Sequence, residues 1–129
     1  MRNDMYNRFE LHRNWVDTSG QEGEQLRLQD VDFREFDISD ICLEQSFMAS
    51  CTFEDLSLSN MDFHASLTDV DISEARFEGV LFYGVTLRNI KGIEEANVQS
   101  IHVGSDDKPI ILKGQEARDW LRMKAEESI

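Results

Sequence analysis

Apolar residues recur at every fifth position through most of this chain: Leu28, Phe33, Ile38, Leu43, Met48, Phe53, Leu58 and Phe63, then, one residue early, Leu67, Ile72, Phe77, Phe82 and Leu87. A second apolar or small residue stands two places before nearly all of these, from Val31, Phe36 and Ile41 through Cys51, Leu56, Met61 and Ala65 to Val80 and Val85. Each five-residue unit reads in, out, in, out, out. An α-helix repeats near 3.6 residues and a strand at 2, so neither keeps this pattern in phase. Very short strands joined by tight corners do keep it, stacked coil upon coil into a solenoid.

The outward positions predict the corners. Two residues after the inward apolar residue stand Asp30, Asp40, Asp55, Asn60, Asp69, Gly79, Gly84 and Asn89, residue types that tolerate or locally satisfy turn backbone. Burial pattern and turn chemistry thus point to the same architecture.

Units such as Val31-Asp32-Phe33-Arg34-Glu35, Met61-Asp62-Phe63, Val70-Asp71-Ile72-Ser73-Glu74 and Ala75-Arg76-Phe77-Glu78-Gly79 resemble those of the pentapeptide-repeat family, written Ala-Asp/Asn-Leu-x-x. The resemblance implies a right-handed, four-sided β-helix with about four units per turn and coils about 4.8 Å apart. Bulky Phe36, Leu56 and Met61, where the family commonly has Ala, predict a swollen or irregular coil. Four units per turn stack Leu28, Met48, Leu67 and Leu87; Ile38, Leu58, Phe77 and Val98; and Leu43, Phe63, Phe82 and Val103, giving an all-β solenoid of about four coils over residues 24–103. Two slips, one residue lost near His64 and one gained near Gly92 and Ile93, read as local bulges.

An open solenoid end exposes unpaired backbone and apolar rungs, so caps are expected. Over residues 1–23, Asn3 and Asp4 precede a helical stripe of Met5, Phe9, His12 and Val16, and Gly20 and Gly23 release the chain. Over residues 104–129, a loop leads to a strand at Ile110 to Leu112, and Gly114 introduces a helix carrying Ala117, Trp120, Leu121 and Lys124. The apolar stripe of that helix, Trp120 and Leu121 above all, has two readings: a lid on the last coil, or a homodimer contact of the kind some members of the resembled family make at this end.

The chain has 129 residues and a formal charge of −13. It reads as one domain, with no membrane span and no secretory leader, so a cytoplasmic location is expected. The register turns Cys51 inward and Cys42 outward, which argues against a disulfide between them. No phosphate loop, Cys-x-x-Cys pair, zinc-protease motif or nucleophile elbow occurs. His64 and His102 share a side but lie about two coils apart, near 10 Å, too far for one metal ion. The expectation is a non-catalytic protein without cofactor or metal.

Between Asp30 and Glu78 there are 13 acidic residues against Arg34 and Arg76, all 13 at outward positions. Asp32, Glu35, Glu54, Asp55, Asp71 and Glu74 fall on one side and Asp37, Asp40 and Glu78 on the next, with Glu35, Asp55 and Glu74 forming a corner column. Such a surface disfavours direct nucleic-acid binding and suits a basic partner. It reads either as a solubilising exterior or as a substitute for DNA phosphates in the cleft of a DNA-handling protein. Members of the resembled family act in the second way on type II topoisomerases such as gyrase. Outward Phe47, and Leu81 with Tyr83 near His64 and His102, are candidate apolar contacts for a protein partner.

Overall fold

A computed structural model describes residues 2–38, 41–105 and 107–127. The five-residue rhythm is realised as short strands that pair with the next coil rather than with their neighbours in sequence. After helix α1 (Arg2–Asp17) come β1 (Arg27–Gln29), a 3₁₀ turn (Phe33–Glu35), β2 (Phe47–Ala49), β3 (Ser57–Ser59) and β4 (Ser66–Thr68). Then follow β5 (Arg76–Glu78), β6 (Val80–Leu81), β7 (Thr86–Arg88), β8 (Asn97–Val98), β9 (Ile101–Gly104), β10 (Pro109–Leu112) and helix α2 (Gly114–Glu127).

These elements make a four-sided β-solenoid of about four turns. The first side is the parallel sheet β1-β2-β4-β7, which stacks Leu28, Met48, Leu67 and Leu87. The second is a ladder of single parallel bridges joining Asp32, Thr52, Asp71 and Lys91. The third is β3-β5-β8, with Leu58 over Phe77 over Val98. The fourth carries the bridge Asp62 to Leu81 and the sheet β6-β9-β10. Three sides are fully parallel, as coil-on-coil stacking requires; only β10 runs antiparallel, against β9.

The interior is filled by the expected rungs. Phe33, Phe53, Phe63 and Phe77 are each at most 2 % exposed. Phe33 stacks on Phe53 with ring centroids 4.4 Å apart and planes 4° apart, and Phe63 meets Phe53 edge-on at 5.6 Å. The space left among Phe53, Phe63, Phe77, Phe82 and Leu121 is about 20 Å³, room for one water at most.

Both slips fall where the sequence places them. Leu28 pairs with Met48, a step of 20 residues, but Met48 pairs with Leu67 and Leu58 with Phe77, steps of 19. The residue two places past the inward apolar one turns the corner with positive φ at Asp30, Asp55, Asn60, Asp69, Gly79, Gly84 and Asn89. Between Phe63 and buried Ala65 only His64 remains, and its φ is not positive. The corner residue is what the chain has lost. Phe77 to Val98 is then a step of 21, and the extra residue is absorbed where Gly92 (φ +79°) takes the rung position and Ile93 turns inward. Asp40, expected at a corner, lies outside the described residues.

The end caps differ in detail from expectation. Helix α1 begins at Arg2, so Asp4 sits within its first turn and not before it; there a carboxylate complements the positive end of the helix dipole. The Asn3 side chain lies outside the described residues. Phe9 and His12 are buried, whereas Met5 and Val16 are half-buried. Bulky Phe36 is explained by this cap. Tyr6, Phe9 and Phe36 form a triangle of edge-to-face rings 5.9 to 6.2 Å apart. The Asp37 N–H donates to the Tyr6 hydroxyl at 2.8 Å.

At the other end α2 lies across β7 and β8. Leu121 is buried and half-buried Trp120 reaches Phe82 at 6.2 Å between ring centroids. Arg118 Nη1 donates to the Ala96 carbonyl at 2.9 Å, and Arg122 pairs with Glu94. Of the two readings for Trp120 and Leu121, the contact seen is the lid. No helix among the described residues is long and apolar enough to cross a membrane.

Candidate functional surface

The acidic positions separate into two chemical kinds once their partners are known. On the second side Asp32 and Asp71, and on the fourth side Asp62, each accept the backbone N–H two residues on, from Arg34, Ser73 and His64, at 2.8 to 2.9 Å. Thr52 does the same for Glu54 at 3.0 Å. These side chains replace a turn hydrogen bond that the strand ladder does not supply. Asp32 is held further by Arg34, whose Nη2 lies 2.8 Å from Oδ2. That guanidinium holds the Asp32 carboxyl below the usual carboxylate range, with the Arg34 N–H adding to it. Arg34 also reaches Glu54 at 3.6 Å. Asp32, Asp71 and Glu54 are half-buried; Asp32 and Asp71 are committed to turns of their own coil, and Glu54 faces Arg34 of the coil before it.

Glu35, Asp55 and Glu74 are of the other kind. The bridges Asp32 to Thr52 to Asp71 fix the register, and three residues on it stacks these carboxylates in one column at the corner between the second and third sides. All three are exposed. None forms an ion pair within 4.0 Å among the described residues. Exposed Glu78 lies beyond this column on β5, and exposed Asp37 on the third side of the first coil. Between Phe36, Ile38, Leu56 and Met61 the third side carries a depression of about 320 Å³ with Asp37 at its rim.

The first side has the opposite character. Its outward positions are Arg27, Gln29, Phe47, Ala49, Ser66, Thr68, Thr86 and Arg88, without a carboxylate. Phe47 is 44 % exposed, with the Arg27 guanidinium 4.6 Å from its ring centroid. Its other column neighbour is the small Ser66, which leaves the ring open. Depressions of about 250 and 270 Å³ flank it. The sequence places most of the acids on two adjacent sides; the carboxylate-free character of the first-side strands was legible there too but not singled out.

Leu81 and Tyr83 project from the fourth side as expected but are half-buried. Leu81 stands between Asp62 and His102 in its column, which shield it. The apolar residues this end does expose are Ile110 and Ile111 on β10, each 54 % exposed, and Met123 on α2. No group of three or more His, Cys, Asp or Glu that could hold a metal ion occurs among the described residues. The thiols of Cys42 and Cys51 are both pushed up by burial. Buried Cys51 donates to the Ala49 carbonyl at 3.4 Å, a core residue and not a poised nucleophile.

No protein family, curated protein or solved structure matches this chain.

Proposed function

We propose that this chain is a pentapeptide-repeat protein that acts without catalysis, by binding a basic protein surface along the carboxylate column Glu35, Asp55 and Glu74. The observation that carries this reading is that these three side chains are exposed and without an ion-pair partner among the described residues, whereas Asp32 and Glu54 pair with Arg34 and Asp71 accepts the Ser73 N–H. The stacking repeat brings them about 4.8 Å apart along the coil axis, where like charges repel. A cationic partner relieves that repulsion, and Glu78 and Asp37 extend the field on the adjoining side.

A second reading has the column stand in for a phosphate backbone in the cleft of a DNA-handling enzyme such as a type II topoisomerase. The regular one-coil spacing of the carboxylates favours it. Four coils span only about 20 Å, short beside the helical repeat of B-DNA at about 34 Å.

Both readings are tested by reversing the column. The variant Glu35→Lys/Asp55→Lys/Glu74→Lys should keep its far-ultraviolet circular dichroism and lose salt-sensitive capture of basic proteins from the host extract. Duplex DNA should compete with the captured protein only under the second reading. Unchanged capture by the triple variant rejects both.

A further inference from the structure

Phe47 is the one large apolar side chain among the outward residues of the first side, and its ring is held from one direction only. Gln25 Nε2 donates to the Gln45 carbonyl at 2.9 Å, Gln25 Oε1 accepts from Arg27 Nη2 at 3.1 Å, and the Arg27 guanidinium lies 4.6 Å from the Phe47 ring centroid. This relay orders Arg27 against the ring before any ligand arrives, so less side-chain freedom is left to lose on binding. Toward the next coil the ring meets only Ser66, which is too small to cover it.

Two depressions share this ring. One of about 270 Å³ is lined by Phe47 with Gln45, His64, Ser66 and Thr86, the other of about 250 Å³ by Phe47 with Gln29, Ala49, Ser66 and Thr68. Each is smaller than the ~300–1,000 Å³ of an ordinary small-molecule pocket. Each therefore suits one ring of a ligand, and the pair suits two consecutive rings of a chain. The side chains of Gln45, Ser66 and Thr86 make no hydrogen bond to another side chain or to backbone among the described residues, and each can both donate and accept. Gln45 also keeps a left-handed φ of +62° where glycine would relieve the strain, the kind of local cost that functional positions retain.

Charge decides the class of ligand. A nucleic acid or an acidic peptide meets the field of a chain whose formal charge is −13. A basic peptide finds no carboxylate among the outward residues of this side, and an apolar surface finds a single ring set among Ser, Thr and Gln. What fits is an uncharged ligand with C–H groups on one face and hydroxyls around its rim. The electron-rich face of an aromatic ring attracts such C–H groups, while Gln45, Ser66 and Thr86 lie where they can meet the hydroxyls.

We propose that the first side binds a neutral oligosaccharide of two or more pyranose rings, laid across Phe47 with one ring in each depression. The site stands on a different side from the acidic column and survives the failure of that reading.

Titration of the intact, nitrogen-15-labelled chain with cellohexaose, maltohexaose and hexa-N-acetylchitohexaose tests it through the backbone amide resonances. At least one of the three, at millimolar concentration, should shift the amides of residues 45–49 and 64–68 and leave those of α2 in place. Phe47→Ala should weaken that binding about tenfold or more with circular dichroism unchanged. Gln45→Gly should weaken it without lowering the melting temperature, which separates a ligand contact from a structural one. An absence of shifts with all three sugars, equal binding by Phe47→Ala, or shifts at these residues with oligo(dT) or an oligoglutamate peptide in place of the sugars overturns the proposal.

Discussion

His12 on α1 accepts the backbone N–H of Leu26 at its Nδ1, 2.8 Å away, and is wholly buried. An amide N–H only donates, so Nδ1 carries the lone pair and the proton sits on Nε2. Nε2 in turn donates to the Glu44 carbonyl at 2.7 Å. One neutral tautomer thereby ties the N-terminal helix to the entry of the first coil and to the coil's fourth side. Protonation would place a hydrogen on Nδ1 facing the Leu26 N–H. Burial holds the His12 pKa below its ordinary value of 6.5.

The sign of the resulting pH dependence follows. The unfolded chain binds a proton near pH 6.5 that the folded chain refuses, so this contribution to stability is complete above pH 6.5 and is lost as pH falls from there through the lowered folded value. Carboxylates titrate in the same acidic direction, so the comparison variant is His12→Gln, whose amide donates and accepts without titrating. Urea midpoints between pH 7.5 and 5 should fall more steeply for the parent than for His12→Gln. Parallel slopes would contradict the assigned tautomer.

Gly92 and Gly114 both have positive φ, +79° and +56°, but a Cβ meets different surroundings. At Gly114 nothing lies within 4 Å; at Gly92 the Ser73 Oγ and N would lie 2.1 and 2.6 Å away. Gly114→Ala should therefore cost about 1 kcal/mol from backbone conformation alone. Gly92→Ala forces apart two stacked coils as well, and should cost about 2 kcal/mol or more. Chemical denaturation of the two variants decides it; equal costs would mean that the bulge at Gly92 and Ile93 gives way freely.

Gln45 turns its corner with φ +62°, a conformation that Asp, Asn or Gly supplies at seven other corners. It is exposed and carries no charge. Gln45→Gly should raise stability by about 1 kcal/mol, since relief of the left-handed strain outweighs the greater freedom of glycine in the unfolded chain. A lowered midpoint would mean that the Gln45 side chain makes contacts worth more than the strain.

Phe53 and Phe47 stand six residues apart with opposite fates. Phe53 is 1 % exposed between Phe33 and Phe63, whereas Phe47 is 44 % exposed. Phe53→Ala removes a rung and should cost about 4 kcal/mol. Phe47→Ala should stay within about 0.5 kcal/mol of the parent, because what it loses is one exposed contact with Arg27. Thermal melts of both variants test the register directly.

How much was legible in advance differs by kind of residue. The period of five is a local property: inward and outward directions follow from strand parity, and the corner types from φ. Phe33, Phe53, Ile72 and the Asp and Gly corners therefore fell into place, as did the missing residue at His64 and the extra one near Gly92. Asp32 and Asp71 looked like Glu35 and Glu74 along the chain, since all four are outward acids. Only the coil geometry separates them, because the hydrogen bonds that occupy Asp32 and Asp71 exist once the turn has closed. Leu81, Tyr83 and Phe47 were likewise equivalent as outward apolar residues. Their exposure depends on the column neighbour contributed by another coil, His102 and Asp62 for Leu81 and small Ser66 for Phe47, some twenty residues away.

What the sequence determined by itself is the solenoid: which side chains fill it, where it turns, where its register slips and that each end carries a cap. Tertiary structure alone decided the His12 tautomer, which carboxylates remain without ion partners and which face of the Phe47 ring is open. The division has one physical cause. Side-chain direction is set within a few residues by backbone geometry, whereas a hydrogen-bond partner, an ion partner or a covering neighbour comes from the next coil or a cap, and stacking has to bring it there.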